Sequence, residues 1–365
     1  MTPVEQTNPY KQYCTPDKLK RQTWYGDTYG AEIAVGGSVP VPCDVTHIRL
    51  PFLEEREAEA ATAFNLAKSD MDGFYKWLWE RIRNHVSVTL ALWKDEKLRP
   101  NIIRLLKADT VNEDGAKDVY LITPPCEPFF DPAKRPFISL PELCGFGVKL
   151  GNIIRDVGAC GYAHGGITPS ALYMAEDGRL ALGDFFFAAK LKAEPPEGTE
   201  SGETETTETD ENPYRYFQPP HVPETALTDG ERSPAADARA LISVLLSVLT
   251  GTPLWTRTPY MTVCTLFPGS GTSPVPEKLS GILRQALASD DPLAVYRKTM
   301  NKYLNECSKD AALSGLSYRL SSFHARYVPV SQKGLTETEL MEQIVNLSEQ
   351  TDTQTELIDN QPQTQ

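Results

Sequence analysis

Apolar and polar positions divide the chain into a strand-rich first part and a helical remainder. From Thr23 to Pro51 short apolar runs alternate with glycine and proline, as in antiparallel strands joined by turns. Phe52 to Asn84 carries strong helix formers with apolar residues at helical spacing. The stretch Asp70, Met71, Asp72, Gly73 interrupts it, so two helical pieces are expected. A strand is expected to follow Pro100 to Leu106, and Asp118 to Pro124 reads as another, with a hairpin turn over Asn112 to Gly115 between them. Leu140 to Cys160 reads as a helix, and Glu176 to Arg179 as a tight turn between two short strands. Arg239 to Thr250 is almost wholly apolar, which predicts a buried helix. Leu279 to Leu287 and Leu293 to Leu304 add two more.

Three segments carry neither period. Residues 1–22 read as an irregular leader. Glu194 to Asn212 holds eight acidic residues and no basic one, with almost nothing apolar, so burial cannot offset the entropy of ordering it. Ser331 to Gln365 is polar and reads as a mobile tail with a short helix between Glu337 and Leu347. The expected division is therefore 1–22, 23–125, 126–330 with an insertion at 194–212, and 331–365.

Composition narrows the function classes. With 40% hydrophobic residues the 365-residue chain can bury a core. A net charge of -13 argues against nucleic acid, whose phosphates need a basic surface. No stretch approaches the roughly 20 apolar residues that span a bilayer, since Ala240 to Leu249 is too short. The start, MTPVEQTNPYKQYC, lacks the basic and apolar regions of a signal peptide, so the protein reads as cytosolic or as one whose leader has been removed. Seven widely spaced cysteines show no zinc spacing, so no metal is expected and each reads as a small buried hydrophobe, with a disulfide as the alternative.

The chemistry concentrates in Tyr162 to Lys190, YAHGGITPSALYMAEDGRLALGDFFFAAK. An active protein kinase reads H-R-D-L-x-x-x-N, then D-F-G. Here His164-Gly165-Gly166 is followed by Gly183-Asp184-Phe185-Phe186. Pro100 to Leu106 resembles the passage that enters a kinase's fourth strand, Asp118 to Pro124 the strand that ends at the hinge, and Asp237 the helix residue that ties the catalytic loop. Over roughly residues 23–328 the order of elements resembles the protein-kinase fold. The resemblance implies an α+β, bilobal architecture with a small β-rich N-lobe and a larger helical C-lobe.

Against that pattern the working residues are missing. Phosphoryl transfer needs positioned charges: a Gly-rich loop and a lysine on the phosphates, magnesium ligands, and a carboxylate for the attacking hydroxyl. Gly166 stands at that carboxylate, Thr168 at the loop lysine, Ala171 at the magnesium-binding asparagine and Phe186 at the glycine of D-F-G. Only Asp184 survives as a metal ligand. The nucleotide loop, sought in Tyr25 to Val35, keeps Gly26 and Gly30 without G-x-G-x-x-G, and Asp27 and Glu32 would face the phosphates. Arg49 reads either as the substitute for the strand lysine, pairing with Glu54, Glu55 or Glu59, or as a plain surface arginine. His164 is expected to be structural, His221 and His324 are isolated, and Trp77 and Trp79 with Phe74 and Tyr75 read as a packed helix face. Ser233, Ser243 and Ser247 lie in no nucleophile motif.

Replacement of H-R-D by His164-Gly165, with Asp177-Gly178-Arg179-Leu180-Ala181-Leu182-Gly183-Asp184 downstream and Ile48 to Glu55 upstream, resembles the secreted rhoptry kinase and pseudokinase family of Toxoplasma and its relatives. That resemblance implies secretion into the parasitophorous vacuole or cyst wall and a role in virulence. It also implies protein partners of the vacuole, cyst wall or host, no cofactor, weak or absent ATP binding, and a disulfide between Cys264 and Cys307. The leading expectation is a catalytically inactive pseudokinase acting as scaffold, regulator or structural component. A divergent active Ser/Thr kinase using Asp184 and Arg49, and a purely structural coat protein, are the alternatives.

Overall fold

Strand alternation sets up the first layer. In β3 (Val41–Leu50) the odd residues Cys43 and Val45 pack with Tyr120 and Ile122, while the even residues Ile48 and Leu50 pack with Val119 and Leu121 on the opposite face. Together with β1 (Leu19–Gln22) and β2 (Asp27–Ile33), the strand belongs to a five-stranded antiparallel sheet. After it come α1 (Glu54–Ala63) and α2 (Met71–Leu92), then β4 (Lys107–Glu113) and β5 (Ala116–Thr123), and the sheet order is β1-β2-β3-β5-β4. The computed structural model describes residues 8–23, 25–34, 39–63, 68–113, 115–131, 134–175, 177–191, 233–250 and 274–320. The acidic segment 194–212, the tail 331–365, His221, Cys264 and His324 lie outside them.

Two expectations change here. Lys68–Asp70 is a 3-10 turn and α2 already starts at Met71, and it runs eight residues past Asn84, because its buried face continues through His85, Val88, Thr89 and Leu92. The segment read as an irregular leader is partly structured. Residues 19–22 form β1, and Tyr10 lies stacked on Tyr120 with ring centroids 4.6 Å apart. Asn8 Nδ2 donates to the Tyr120 hydroxyl at 2.8 Å, and the Tyr10 hydroxyl donates to Asp109 at 2.7 Å. Polar residues that looked like solvated leader thus close the outer face of the sheet.

The C-terminal part is mainly helical. After β6 (Cys126–Pro128) and β7 (Phe137–Ser139), α3 (Leu140–Ala159) starts at a capping box in which Ser139 and Glu142 satisfy each other's backbone amides. Short strands follow: β8 (Tyr162–Ala163), β9 (Leu172–Ala175), β10 (Leu180–Leu182) and β11 (Ala189–Lys190). Then come α4 (Pro234–Thr250), α5 (Glu277–Leu287), α6 (Pro292–Cys307), α7 (Ala311–Ser314) and β12 (Ser317–Arg319). The apolar α4 packs against α3 and α6 in the largest core cluster, as its composition predicts. Gly147 permits the close approach of α3 and α6: a Cβ there would lie 2.1 Å from the Tyr296 hydroxyl. The whole is a mixed α+β chain, β-rich first and helical after, compatible with two lobes. Among the described residues no helix is long and apolar enough to cross a membrane.

Candidate functional site

The loop after β8 is held from below by α4. Asp237, fully buried, accepts the His164 amide at 2.7 Å and the Gly165 amide at 2.8 Å through its two carboxylate oxygens. Burial pushes its pKa up to about 6, against the pull of those two amides. His164 bonds only to backbone: its Nε2 lies 2.7 Å from the Gly183 carbonyl, and its Nδ1 accepts from the Gly166 amide at 3.2 Å. That pattern fixes the neutral Nε2–H tautomer, and burial lowers the pKa to about 4. The expected structural role of His164 and the expected anchoring by Asp237 are both present.

Asp184 follows β10 in a left-handed backbone conformation, with φ 56° and ψ 47°. A non-glycine residue there is strained and marks an over-determined position. Both its carboxylate oxygens are taken. Tyr25 donates to Oδ1 at 3.1 Å and Tyr173 donates to Oδ2 at 3.0 Å. Burial raises the Asp184 pKa, while Arg21 and the two phenols oppose the rise. Its geometry holds a half-buried carboxyl group between two tyrosines at the wall of a pocket.

The three phenylalanines after Asp184 form a buried turn against α2. Phe186 stacks on His85 with centroids 4.6 Å apart and meets the Tyr25 ring at 4.5 Å. His85 Nδ1 accepts the Phe185 amide at 3.1 Å, and Asn84 Nδ2 donates to the Ala188 carbonyl at 2.8 Å. Burial, with a smaller contribution from His164, lowers the His85 pKa to about 3. Phe74 and Trp77 are buried in the same cluster and Tyr75 and Trp79 pack at its edge, so the aromatic stripe is core.

The nucleotide loop differs from the expectation. The turn between β1 and β2 is tight: Thr23 donates its amide to the Gly26 carbonyl at 2.8 Å, and its hydroxyl accepts the Gly26 amide at 3.1 Å. Gly26 closes that turn, where a Cβ would lie 2.4 Å from the His47 carbonyl oxygen, and Gly30 lies within β2. Asp27 pairs with Arg56 instead of facing phosphates. Among the described residues 25–34, the stretch from Asp27 to Ile33 is strand β2 rather than a loop. The hairpin instead carries the Tyr25 ring into the cleft.

Arg49 does not enter the cleft either. Alternation turns Asp44, Thr46 and Ile48 inward, and puts Arg49 on the outer face with His47. There both bind Asp118 of β5, with His47 Nε2 at 2.8 Å and the Arg49 guanidinium at 3.3 Å, rather than Glu54 or Glu55, and the Glu59 side chain lies outside the described ones. The positions read as degenerate are filled by apolar packing. A Cβ on Gly166 would lie 3.0 Å from the Phe187 ring. Ala171 is buried, and the Thr168 hydroxyl is bonded to Ser170 at 2.7 Å. Among the described residues no group of three or more His, Cys, Asp or Glu is placed to hold a metal.

Cys307, expected to bridge to Cys264, is a free buried thiol in hydrogen-bonding contact with Cys144 and Tyr303. It points into the helical core, away from solvent. Ser233 accepts the Ala236 amide at 3.2 Å and Ser243 donates to the Arg239 carbonyl at 3.1 Å, both helix-local roles. Sequence reasoning missed Arg21, Tyr25, Tyr173 and the Asn84-His85 pair. The last had a signal, two polar residues beside the apolar face of a long helix.

No protein-family model matches this chain. A comparison with curated proteins likewise finds no match.

Proposed function

We propose that the chain is a pseudokinase: a protein-kinase-like, bilobal fold that transfers no phosphate and acts by binding other proteins. The observation that carries the reading is the joint state of Asp184 and Gly166. Asp184, which the resemblance sets at the magnesium-binding Asp of D-F-G, has both its oxygens engaged by Tyr25 and Tyr173. Gly166 offers no carboxylate to an attacking hydroxyl, and Phe187 covers it. A positioned acid or base contributes about 10²- to 10⁴-fold in rate, so its loss with the lysine and the asparagine leaves no catalytic apparatus. The Asp237 bonds to the loop backbone support the kinase-like part of the reading, since they hold the frame of a loop whose chemistry is gone.

The function then lies on the protein's surface as scaffold, regulator or structural component, in the setting the family resemblance implies: a secreted protein of a parasite vacuole or cyst wall. Incubation with γ-labelled ATP and magnesium tests it, alongside an active kinase as positive control. The expected result is no label on the chain or on generic Ser/Thr substrates. Label that disappears in Asp184→Asn would overturn the proposal.

A further inference from the structure

Helix α2 ends in a turn that gathers cations around one tryptophan. Its cap, Trp93, packs a half-buried ring against the helical core, and the guanidinium groups of Arg99 and Arg104 lie over that ring, 6.0 and 5.6 Å from the centroid. Lys94 and Lys97 are exposed in the same stretch, so positions 94–104 concentrate basic residues in a chain whose net charge is -13. Two acids lie among them. Asp95 accepts the Lys97 and Leu98 amides at 2.8 and 3.0 Å, which turns it toward its own turn, and Glu96 is exposed. Lys94, Lys97, Arg99 and Arg104 form no ion pair among the described residues.

The two arginines are held in place by the fold itself. Arg99 Nε donates to the Trp93 carbonyl at 3.3 Å. The backbone on either side of Arg104 is fixed, because the Ile103 amide donates to the Leu182 carbonyl of β10 at 3.0 Å and Leu105 is buried. Stacking on a ring uses the flat face of a guanidinium and leaves N–H donors at its edge for a carboxylate, which accepts two of them in parallel. The two forks are no farther apart than the sum of their distances to the ring, a span that about three or four residues of extended chain cover. Leu90 borders the same face, three positions before Trp93 and four before Lys94, and it is 48% exposed. The surface therefore joins two oriented cationic forks to an uncovered apolar side chain.

We infer that this surface docks a short acidic segment of a partner protein, with carboxylates on Arg99 and Arg104 and an apolar side chain against Leu90. The inference deepens the proposed function and rests on its reading that the chain acts by binding other proteins. Charge selects the occupant. A segment of a few residues matches a cluster this local, whereas a long polyanion or an anionic membrane would extend over the surrounding surface of a strongly acidic chain and be repelled there.

Fluorescence polarisation of the labelled peptide Glu-Glu-Leu-Glu-Glu, titrated with the full chain at about 50 mM ionic strength, tests it. The expected result is saturable binding that Arg99→Gln combined with Arg104→Gln weakens at least about tenfold. The charge-matched control, Lys298→Gln combined with Lys302→Gln on the exposed face of α6, is expected to leave it within about twofold. Leu90→Ser is expected to weaken it about threefold. All the substituted side chains are exposed, and if the arginine pair nonetheless lowers Tm, Arg99→Lys with Arg104→Lys keeps the charge without the forks and is expected to weaken binding severalfold. No saturable binding to wild type would overturn the inference. Equal weakening by the arginine and lysine pairs would overturn it too, as a general charge effect, and so would tighter binding of single-stranded oligothymidylate than of the peptide. Label transfer in the ATP assay would instead sink the proposed function, while the peptide titration still decides this surface.

Discussion

The Tyr25 hydroxyl donates to Asp184 Oδ1 at 3.1 Å while the Tyr25 ring packs on Phe186, so one side chain both occupies the mouth of the cleft and engages its surviving acid. Two substitutions separate these roles. Tyr25→Phe keeps the ring and loses the hydrogen bond, and is expected to cost about 1 kcal/mol. Tyr25→Ala also leaves a cavity beside Phe186 and is expected to cost about 3–5 kcal/mol. Urea denaturation of the two variants checks the order. Equal losses would mean that the ring contributes nothing to the closure.

Buried titratable groups make the stability depend on pH with two opposite signs. His85 and His164 have pKa values lowered to about 3 and about 4, so the folded state binds fewer protons than the unfolded state as pH falls below about 6.5. Their neutral-state contribution is present above that pH and is lost on acidification. Asp237, raised to about 6, holds a proton in the folded state that the unfolded state releases, so acidification from 7 through 6 towards 4 stabilises through this group. Each group changes stability by up to about 1.4 kcal/mol per pH unit within its window.

Variants isolate each sign. The stability advantage of wild type over His85→Gln is expected to shrink from pH 7 to pH 5, and that over Asp237→Asn to grow. Chemical denaturation at several pH values reads both differences. Parallel pH profiles for wild type and His85→Gln would contradict the assignment of a buried neutral His85.

Restoring the missing carboxylate is expected to damage the fold without creating activity. Gly166→Asp sets a Cβ 3.0 Å from the Phe187 ring, an overpacking that costs about 1–3 kcal/mol. Adding Phe187→Ala relieves the clash but opens a cavity in the cluster with Trp77, so the double variant stays less stable than wild type. Thermal denaturation tests this, together with a phosphate-transfer assay that is expected to stay blank. A Gly166→Asp protein as stable as wild type would show that Phe187 does not fill that space.

Local patterns were legible where the residues alone decide. The apolar run of α4, the turn before Ala116 and the helix from Leu140 follow from period and turn residues, and the structural role of His164 from the lack of a partner nucleophile in its loop. Arg49 was not, because the decision between cleft and outer face is a matter of strand parity, which appears only once Asp118 is paired opposite it. Tyr10 and Asn8 were missed because a few polar and aromatic residues outside any period carry no local signal of packing. The grouping of Tyr25 and Tyr173 on Asp184 was missed for a related reason. Arg21 and Tyr25 lie about 150 residues from Tyr173 and Asp184 in sequence, and of the four only Asp184 stands in a motif.

The central claim is that the tyrosine-ringed Asp184 leaves no room for nucleotide. Isothermal titration of ATP with magnesium into the full chain, in parallel with Asp184→Asn, tests it most directly. The expected result is no saturable heat for either protein at millimolar nucleotide. Saturable binding to wild type that Asp184→Asn weakens would contradict it, because Asp184 would then be free to hold the metal that accompanies the phosphates.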